Sequence, residues 1–283
     1  MAEGPAASPS RERLLRRAEP VMGTVFSFAV VLGRPAPDQV RFRPAGASNP
    51  DEPAAEEAIE EAMRLLRAVE VAWSPYRTDS LVARLRRDEV VTDAAGVHGL
   101  EDVLARCEAA LRATDGAFDP WAVPRGFDPS GLVKGWAVER AVDLLVRAGL
   151  SDVAIGGGGD VTVRGRAPGR RAGWAVGIRD PQDATRVLGR VELVDAAIAT
   201  SGIYERGRHI VDPRTGRPAE RLIAATVVGP DLAWADALST GVLACADPDP
   251  RWLAHLPAYR ALAVDGQGCV LGRLRDELVP LAA

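Results

Sequence analysis

Residues 127–165 read FDPSGLVKGWAVERAVDLLVRAGLSDVAIGGGGDVTVRG, and the order of elements in this stretch decides the fold. Ala137, Ala141, Leu144, Leu145 and Ala148 recur at the spacing of one helical face, and Gly149 follows as a stop. Val153-Ala154-Ile155 then reads as a short buried strand, Gly156 to Gly159 follow, and Val161-Thr162-Val163 resumes strand character. A dinucleotide fingerprint runs strand, spaced glycines, helix; here the glycines lead into another strand. Four glycines cost backbone entropy and bury no side chain, so they suit a place where something must approach the main chain. At the other end Lys134 sits just inside a helix start, after Asp128-Pro129-Ser130-Gly131, a setting that suits an anion such as a phosphate. Each feature alone also fits a solvated lysine or an ordinary turn. Together they point to a phosphate-bearing ligand.

Upstream of this stretch, residues 1–17 read as a disordered basic tail, and 18–283 as a single domain. Val21 to Leu32 is strand-like, with Met22-Gly23-Thr24 at its start, and a Pro- and Gly-rich loop follows. Ala54 to Ala72 is an amphipathic helix with Ile59, Ala62, Leu66 and Val69 on one face, broken by Trp73-Ser74-Pro75-Tyr76. Asp79 or Ser80 caps a short helix, and Leu100 to Ala113 forms another, ending at Thr114-Asp115-Gly116. Downstream, strands are predicted over 174–178, 187–193, 209–211 and 224–228, and 197–200 leads into Ser201-Gly202. A helix over 232–245 and a hairpin around Asp265-Gly266 complete the chain. Strands and helices mix without strict βαβ alternation, so the class is α+β, with mixed or antiparallel sheets and packed helices.

Composition narrows the function. The chain has 283 residues, 47% of them apolar, enough for a sizeable core, and a formal net charge of −4. Positive charge is spread out, apart from a short N-terminal cluster, which gives no case for nucleic acid. The three cysteines, Cys107, Cys245 and Cys269, lack metal spacing; Cys107 falls on an apolar helical stripe as a core thiol. No apolar run serves as a signal peptide, and no segment is long enough to span a membrane, so a cytoplasmic protein is expected.

Several residues have the right chemistry for a site. Asp236 and Thr240 are four apart on the 232–245 helix and share a face; their oxygens suit a hard cation such as Mg²⁺. The same pair also fits an exposed aspartate and a threonine bonded to its own helix. His209 precedes a tight turn and fits either a proton acceptor near neutral pH or a structural histidine on a strand. Tyr76 beside Trp73 could stack on a planar ring or simply pack at a helix end. Asp119 and Asp128 each precede a proline and could start turns. No Ser-His-Asp or Cys-His constellation and no Walker motif can be assigned from spacing. The residues by themselves describe an α+β protein with a glycine-lined, metal-assisted phosphate site.

These pieces resemble, in this order, the ApbE-type flavin transferases, or FAD:protein FMN transferases. The carriers are MGT at 22–24, SPYRTDS at 74–80, DGAFDP at 115–120, DPSGLVKG at 128–135, GGGGD at 156–160, ATSGIY at 199–204, HIVDPRTG at 209–216 and ADALSTG at 235–241. The resemblance implies a T-fold-like architecture with the active site in a cleft between sub-domains. It implies an enzyme that uses Mg²⁺ to move the FMN half of FAD onto a Thr or Ser of an acceptor carrying a Ser/Thr-Gly-Ala-Thr/Ser-type motif, with AMP leaving. By the same resemblance FAD contacts fall at Met22, Tyr76, Ala117, Phe118, Asp119, Asp128, Lys134 and Val211. Metal ligands fall at Gly131 (main-chain oxygen), Asp236 and Thr240, and the catalytic base at His209. An FAD pyrophosphatase giving FMN and AMP would use the same site with water as acceptor; the alternative of a flavin-binding module without chemistry is opposed by Asp236, Thr240 and His209 occurring together. Two departures stand out: the 120–127 segment is short for the family, and Ser239 stands where many members carry a second acidic group.

Overall fold

A computed structural model describes residues 12–34, 50–92, 99–123, 126–203 and 210–280. The chain enters along strand β1 (Arg13–Val21), turns at Met22-Gly23 and returns along β2 (Thr24–Leu32). Met22 and Gly23 both have positive φ, 53° and 71°, which matches the twist of a two-residue hairpin. Arg13 to Arg17, expected in a disordered tail, therefore belong to a strand. Their charges hid it: β1 is a sheet edge, and Arg13 and Arg17 reach out to Glu52 and Glu56.

Helix α1 (Glu52–Trp73) starts where the Asp51 side chain accepts from the Ala54 N–H, and buries Ile59, Ala62, Leu66 and Val69 as the periodicity requires. Helix α2 (Leu81–Leu85) is capped by Ser80 rather than Asp79, and α3 (Leu100–Ala113) buries Val103, Cys107 and Ala110. Burial pushes the Cys107 thiol up to about 12, as a core thiol should behave. Helix α4 (Ser130–Arg147) leads into β3 (Val153–Gly157) and β4 (Asp160–Arg164). Two of the four glycines extend β3, where the Phe26 ring occupies the place a Gly157 Cβ would take. The other two, Gly158 and Gly159, make the turn with positive φ. The glycine run thus serves a hairpin and an aromatic ring.

The remaining elements are β5 (Trp174–Arg179), β6 (Val187–Leu193), β7 (Ala196–Gly202), β8 (Val211–Asp212), β9 (Arg217–Pro218), β10 (Leu222–Gly229), α5 (Leu232–Cys245), β11 (Arg260–Asp265) and β12 (Val270–Leu271). Eight strands form one sheet in the order β1-β2-β3-β4-β7-β10-β11-β12, and every pairing among the described residues is antiparallel, not mixed.

Side chains alternate across this sheet. Ala197, Ala199, Ala225, Val227, Ala261 and Ala263 face the helices. Ile198, Ala224, Val228, Leu262 and Val264 face a second layer, the β5–β6 hairpin and Leu274. The small residues on the helix side let α5 lie close to the sheet, and α5 is buried nearly all round, from Leu232 to Ala244. No helix among the described residues is long and apolar enough to cross a membrane.

Candidate active site

Two helices bring the site together. Gly131 and Gly135, one turn apart on α4, face α5. A Cβ on Gly131 would stand 3.0 Å from the Thr240 hydroxyl and 3.3 Å from the Phe118 ring; one on Gly135 would stand 2.5 Å from the Leu232 carbonyl oxygen. The backbones can approach this closely only because both positions lack a side chain. Glu139, further along α4, locks the arrangement. It accepts from the Thr162 hydroxyl (2.9 Å) and from the Leu232 N–H at the start of α5 (2.9 Å), and it pairs with Arg164 (2.6 Å). Burial raises the Glu139 carboxyl above its ordinary range, with Arg164 opposing the shift.

Between the helices lies a set of charges. Lys134 sits in the second turn of α4, pairs closely with Asp160 at the start of β4, and stands 3.8 Å from Asp236. Asp160 is fully buried and also accepts from the Thr200 N–H at 3.0 Å. Asp236 is 4% exposed, which rules out the reading of an exposed aspartate, and its Oδ2 has no hydrogen-bond partner. Burial pushes the Asp236 carboxyl up to about 7; Lys134 opposes the shift and the Asp160 charge adds to it. Two carboxylates against one ammonium leave this set more negative than positive. An unbonded buried oxygen in such a place favours a cation.

Hydroxyls line the same region. Ser201 on β7 lies 2.8 Å from the Ser239 hydroxyl and 3.0 Å from that of Thr240, and Thr200 lies 2.9 Å from Thr226. Ser239, fully buried, also donates to the Asp236 carbonyl at 2.9 Å. It is therefore a tie between α5 and β7. Among the described residues no cluster of three or more His, Cys, Asp or Glu could hold a metal by itself. A cation here would need the mixed oxygen set of Asp236, Thr240 and the Gly131 main chain, and the geometry brings those three residues together.

Of the other expected residues, Phe118 reaches this centre, its ring lying beside Gly131. Ala117 and Phe118 are buried, and Phe118 donates its N–H to Thr114 Oγ1 at 3.0 Å. Asp119 accepts from the N–H groups of Trp121 (2.8 Å) and Ala122 (3.2 Å), and Asp128 from that of Ser130 (3.0 Å), so both shape turns. Met22 donates to Glu70 at 2.8 Å, near the end of α1, and Tyr76 stands 74% exposed just beyond that end. Val211 is half-buried in β8, which packs beside α5. His209 lies outside the described residues. The sequence reading missed Asp160 and Ser201. A carboxylate directly after a glycine turn was the available signal for the first; for the second it was only its place in the ATSGIY stretch.

The sequence pattern of the ApbE family matches residues 123–262, which hold Gly131, Lys134, Asp160, Asp236 and Thr240. Over these residues the chain belongs to the ApbE family. An FAD:protein FMN transferase of Rhodobacter capsulatus is 30% identical over 210 residues, 70% of this chain and 38% of that protein. Another, from Vibrio cholerae, is 35% identical over 128 residues, 41% of this chain and 37% of that protein. The aligned residues span under two fifths of either relative's length. The fold agrees with solved ApbE structures. The ApbE protein of Thermotoga maritima superposes with a TM-score of 0.74 at 23% identity, covering 92% of this chain and 97% of that one. The flavin transferase ApbE of Vibrio cholerae gives 0.73 at 22% identity, covering 93% and 97%. Within this ApbE-family segment, the two helix glycines and the Lys134–Asp160 pair are the features that set the spacing of the site.

Proposed function

We propose that the chain transfers the FMN moiety of FAD to a Thr or Ser hydroxyl of an acceptor protein, releasing AMP, with Mg²⁺ as the metal. The observation that carries this reading is Asp236, a buried carboxylate with an unbonded oxygen, one helical turn from Thr240. The named relatives support the choice of substrate. Asp236, Thr240 and the Gly131 carbonyl would hold the ion, leaving positions for the diphosphate and water, as is usual for Mg²⁺ at phosphate substrates. The bound ion would supply charge neutralisation at the diphosphate.

The chain's own residues do the rest, since phosphoryl transfer depends mainly on positioning and electrostatics. Lys134, held by Asp160, keeps a positive charge beside the diphosphate. Met22, Tyr76, Ala117, Phe118, Asp119, Asp128 and Val211 form the walls for FAD in a cleft between two parts of the fold. His209 takes the proton of the acceptor hydroxyl as its oxygen bonds to the FMN-side phosphorus. The bond to the bridging oxygen breaks, and AMP leaves with the electron pair. The acceptor carries a Ser/Thr-Gly-Ala-Thr/Ser-type motif.

The test is to mix the protein with FAD, Mg²⁺ and a domain bearing that motif, and to read intact mass. A gain of one FMN on the acceptor supports transfer. Free FMN and AMP would make the protein a pyrophosphatase, and unchanged FAD a binding module. Two variants examine the residue roles. Tyr76→Ala is expected to raise the FAD Kd about tenfold, the loss of one aromatic stack. It should barely change folding, because the ring is 74% exposed; an unchanged Kd removes Tyr76 from the site. His209→Ala is expected to slow transfer by about 10²- to 10⁴-fold while keeping most FAD affinity. Transfer at the normal rate would move the base elsewhere, with Asp119 and Asp128 next in line.

A further inference from the structure

Arg86 follows the last residue of α2, and its side chain is only 16% exposed. Its guanidinium points inward and joins two stretches distant in sequence. Nε donates to the Phe127 carbonyl at 2.8 Å, Nη1 to the Pro75 carbonyl at 3.0 Å, and Nη2 lies 3.5 Å from Asp128 Oδ2. The aliphatic stem packs against Gly126, where a Cβ would stand 3.5 Å from Arg86 Cγ. Pro75 precedes Tyr76, and Phe127 precedes Asp128. One cation therefore fixes the backbone on which two proposed FAD contacts stand.

The short 120–127 segment gives this clip its importance. Its base is closed by the Asp128 N–H donating to the Pro120 carbonyl at 2.8 Å, and its ends are joined by Trp121 packing on Phe127, with ring centroids 5.3 Å apart. Those contacts hold the segment to itself. Arg86 ties it to the turn after α1, through two main-chain carbonyls and one carboxylate. The guanidinium reaches these acceptors from three separate nitrogens in one rigid plane, whereas a lysine ammonium carries its three donors on a single nitrogen at the end of a flexible stem.

We propose that Arg86 is a positioning residue that sets the distance between the Tyr76 and Asp128 walls and so preorganises the FAD pocket. This rests on the reading that those walls hold FAD. A pocket whose walls are already in place does not have to order them when the ligand arrives. Such a role belongs to ground-state and transition-state binding alike, so its loss should appear in KM and leave kcat alone.

The experiment uses Arg86→Met, which keeps the stem, and Arg86→Lys, which keeps the charge. Amide hydrogen exchange is followed by mass spectrometry without ligand, and FAD Kd, KM and kcat are measured with Mg²⁺. In both variants residues 74–80 and 126–129 are expected to exchange faster. The FAD Kd and KM should rise about tenfold, the effect of losing hydrogen bonds from a charged group, with kcat within about twofold of wild type. Unchanged exchange in both segments overturns the clip. Faster exchange with unchanged FAD affinity overturns its role in the pocket, as does full rescue by lysine. If the wild-type protein fails to bind FAD, the flavin reading falls and this pocket role falls with it, while the exchange data still decide whether Arg86 joins the two segments. A fall in kcat at unchanged KM would assign Arg86 to the chemistry instead.

Discussion

Asp236→Asn should abolish transfer and at the same time make the metal-free protein more stable. The carboxylate is 4% exposed, its Oδ2 is unbonded, and Asp160 is close enough to raise its pKa. Charge at that position opposes folding unless a cation arrives. Asparagine keeps the shape and removes the charge, and Lys134 keeps Asp160 as its close partner. A gain of about 1–2 kcal/mol is expected, read as a rise of about 3–6 °C in Tm without metal. Transfer should fall by at least about a hundredfold, since a bound metal contributes several kcal/mol of charge stabilisation. In wild type, Mg²⁺ and FAD should each bind more tightly in the presence of the other, and the variant should lose that dependence. Calorimetry with and without FAD measures it. A variant that transfers normally, or one that loses activity together with stability, would remove Asp236 from the metal site.

Gly135→Ala is expected to have the largest effect on the fold. The added methyl would stand 2.5 Å from the Leu232 carbonyl oxygen and 2.8 Å from Ala233 Cα, and backbone cannot step aside as a side chain can. Relief requires α4 and α5 to separate. The cost is about 3 kcal/mol, on the order of 10 °C in Tm. Gly131→Ala is the control. Its methyl meets the Thr240 hydroxyl at 3.0 Å and the Phe118 ring at 3.3 Å, both side chains. That variant should lose less stability and still lose activity, because it crowds the proposed metal ligand directly. Thermal melts of the two variants decide the matter. Equal stability in Gly135→Ala and wild type would mean that the helices are not held at this separation.

Whether an element was legible in the sequence depended on how local its cause is. α1, α3 and α4 follow from apolar spacing, and the β11–β12 hairpin from the turn at Asp265-Gly266. Asp236 and Thr240 were legible as a pair because one helix carries both. The Lys134–Asp160 contact was not, since it needs the β3–β4 hairpin to bring Asp160 up to α4. Ser201 was hidden for the same reason: its partners on α5 meet it only after β7 takes its place in the sheet. The Met22-Gly23 turn was read as the start of a strand because methionine rarely has positive φ. Arg13 to Arg17 were read as tail because charges that face α1 look, in sequence, like charges that face water. The resemblance supplied roles for residues, but the spacing between α4 and α5 came from the structure.

The burial of α5 on nearly every side has a consequence in time. A surface helix can fray and re-form many times while the rest of the fold stays intact. α5 is enclosed by α4, β7 and β10, and its amides can reach solvent only when those neighbours part. Its protons should therefore be among the last in the molecule to exchange, at the rate of global opening. Asp236 and Thr240 are carried on that slowest element, whereas Tyr76 stands exposed just beyond the end of α1. The oxygen atoms proposed to hold the metal would thus keep their places for as long as the protein remains folded.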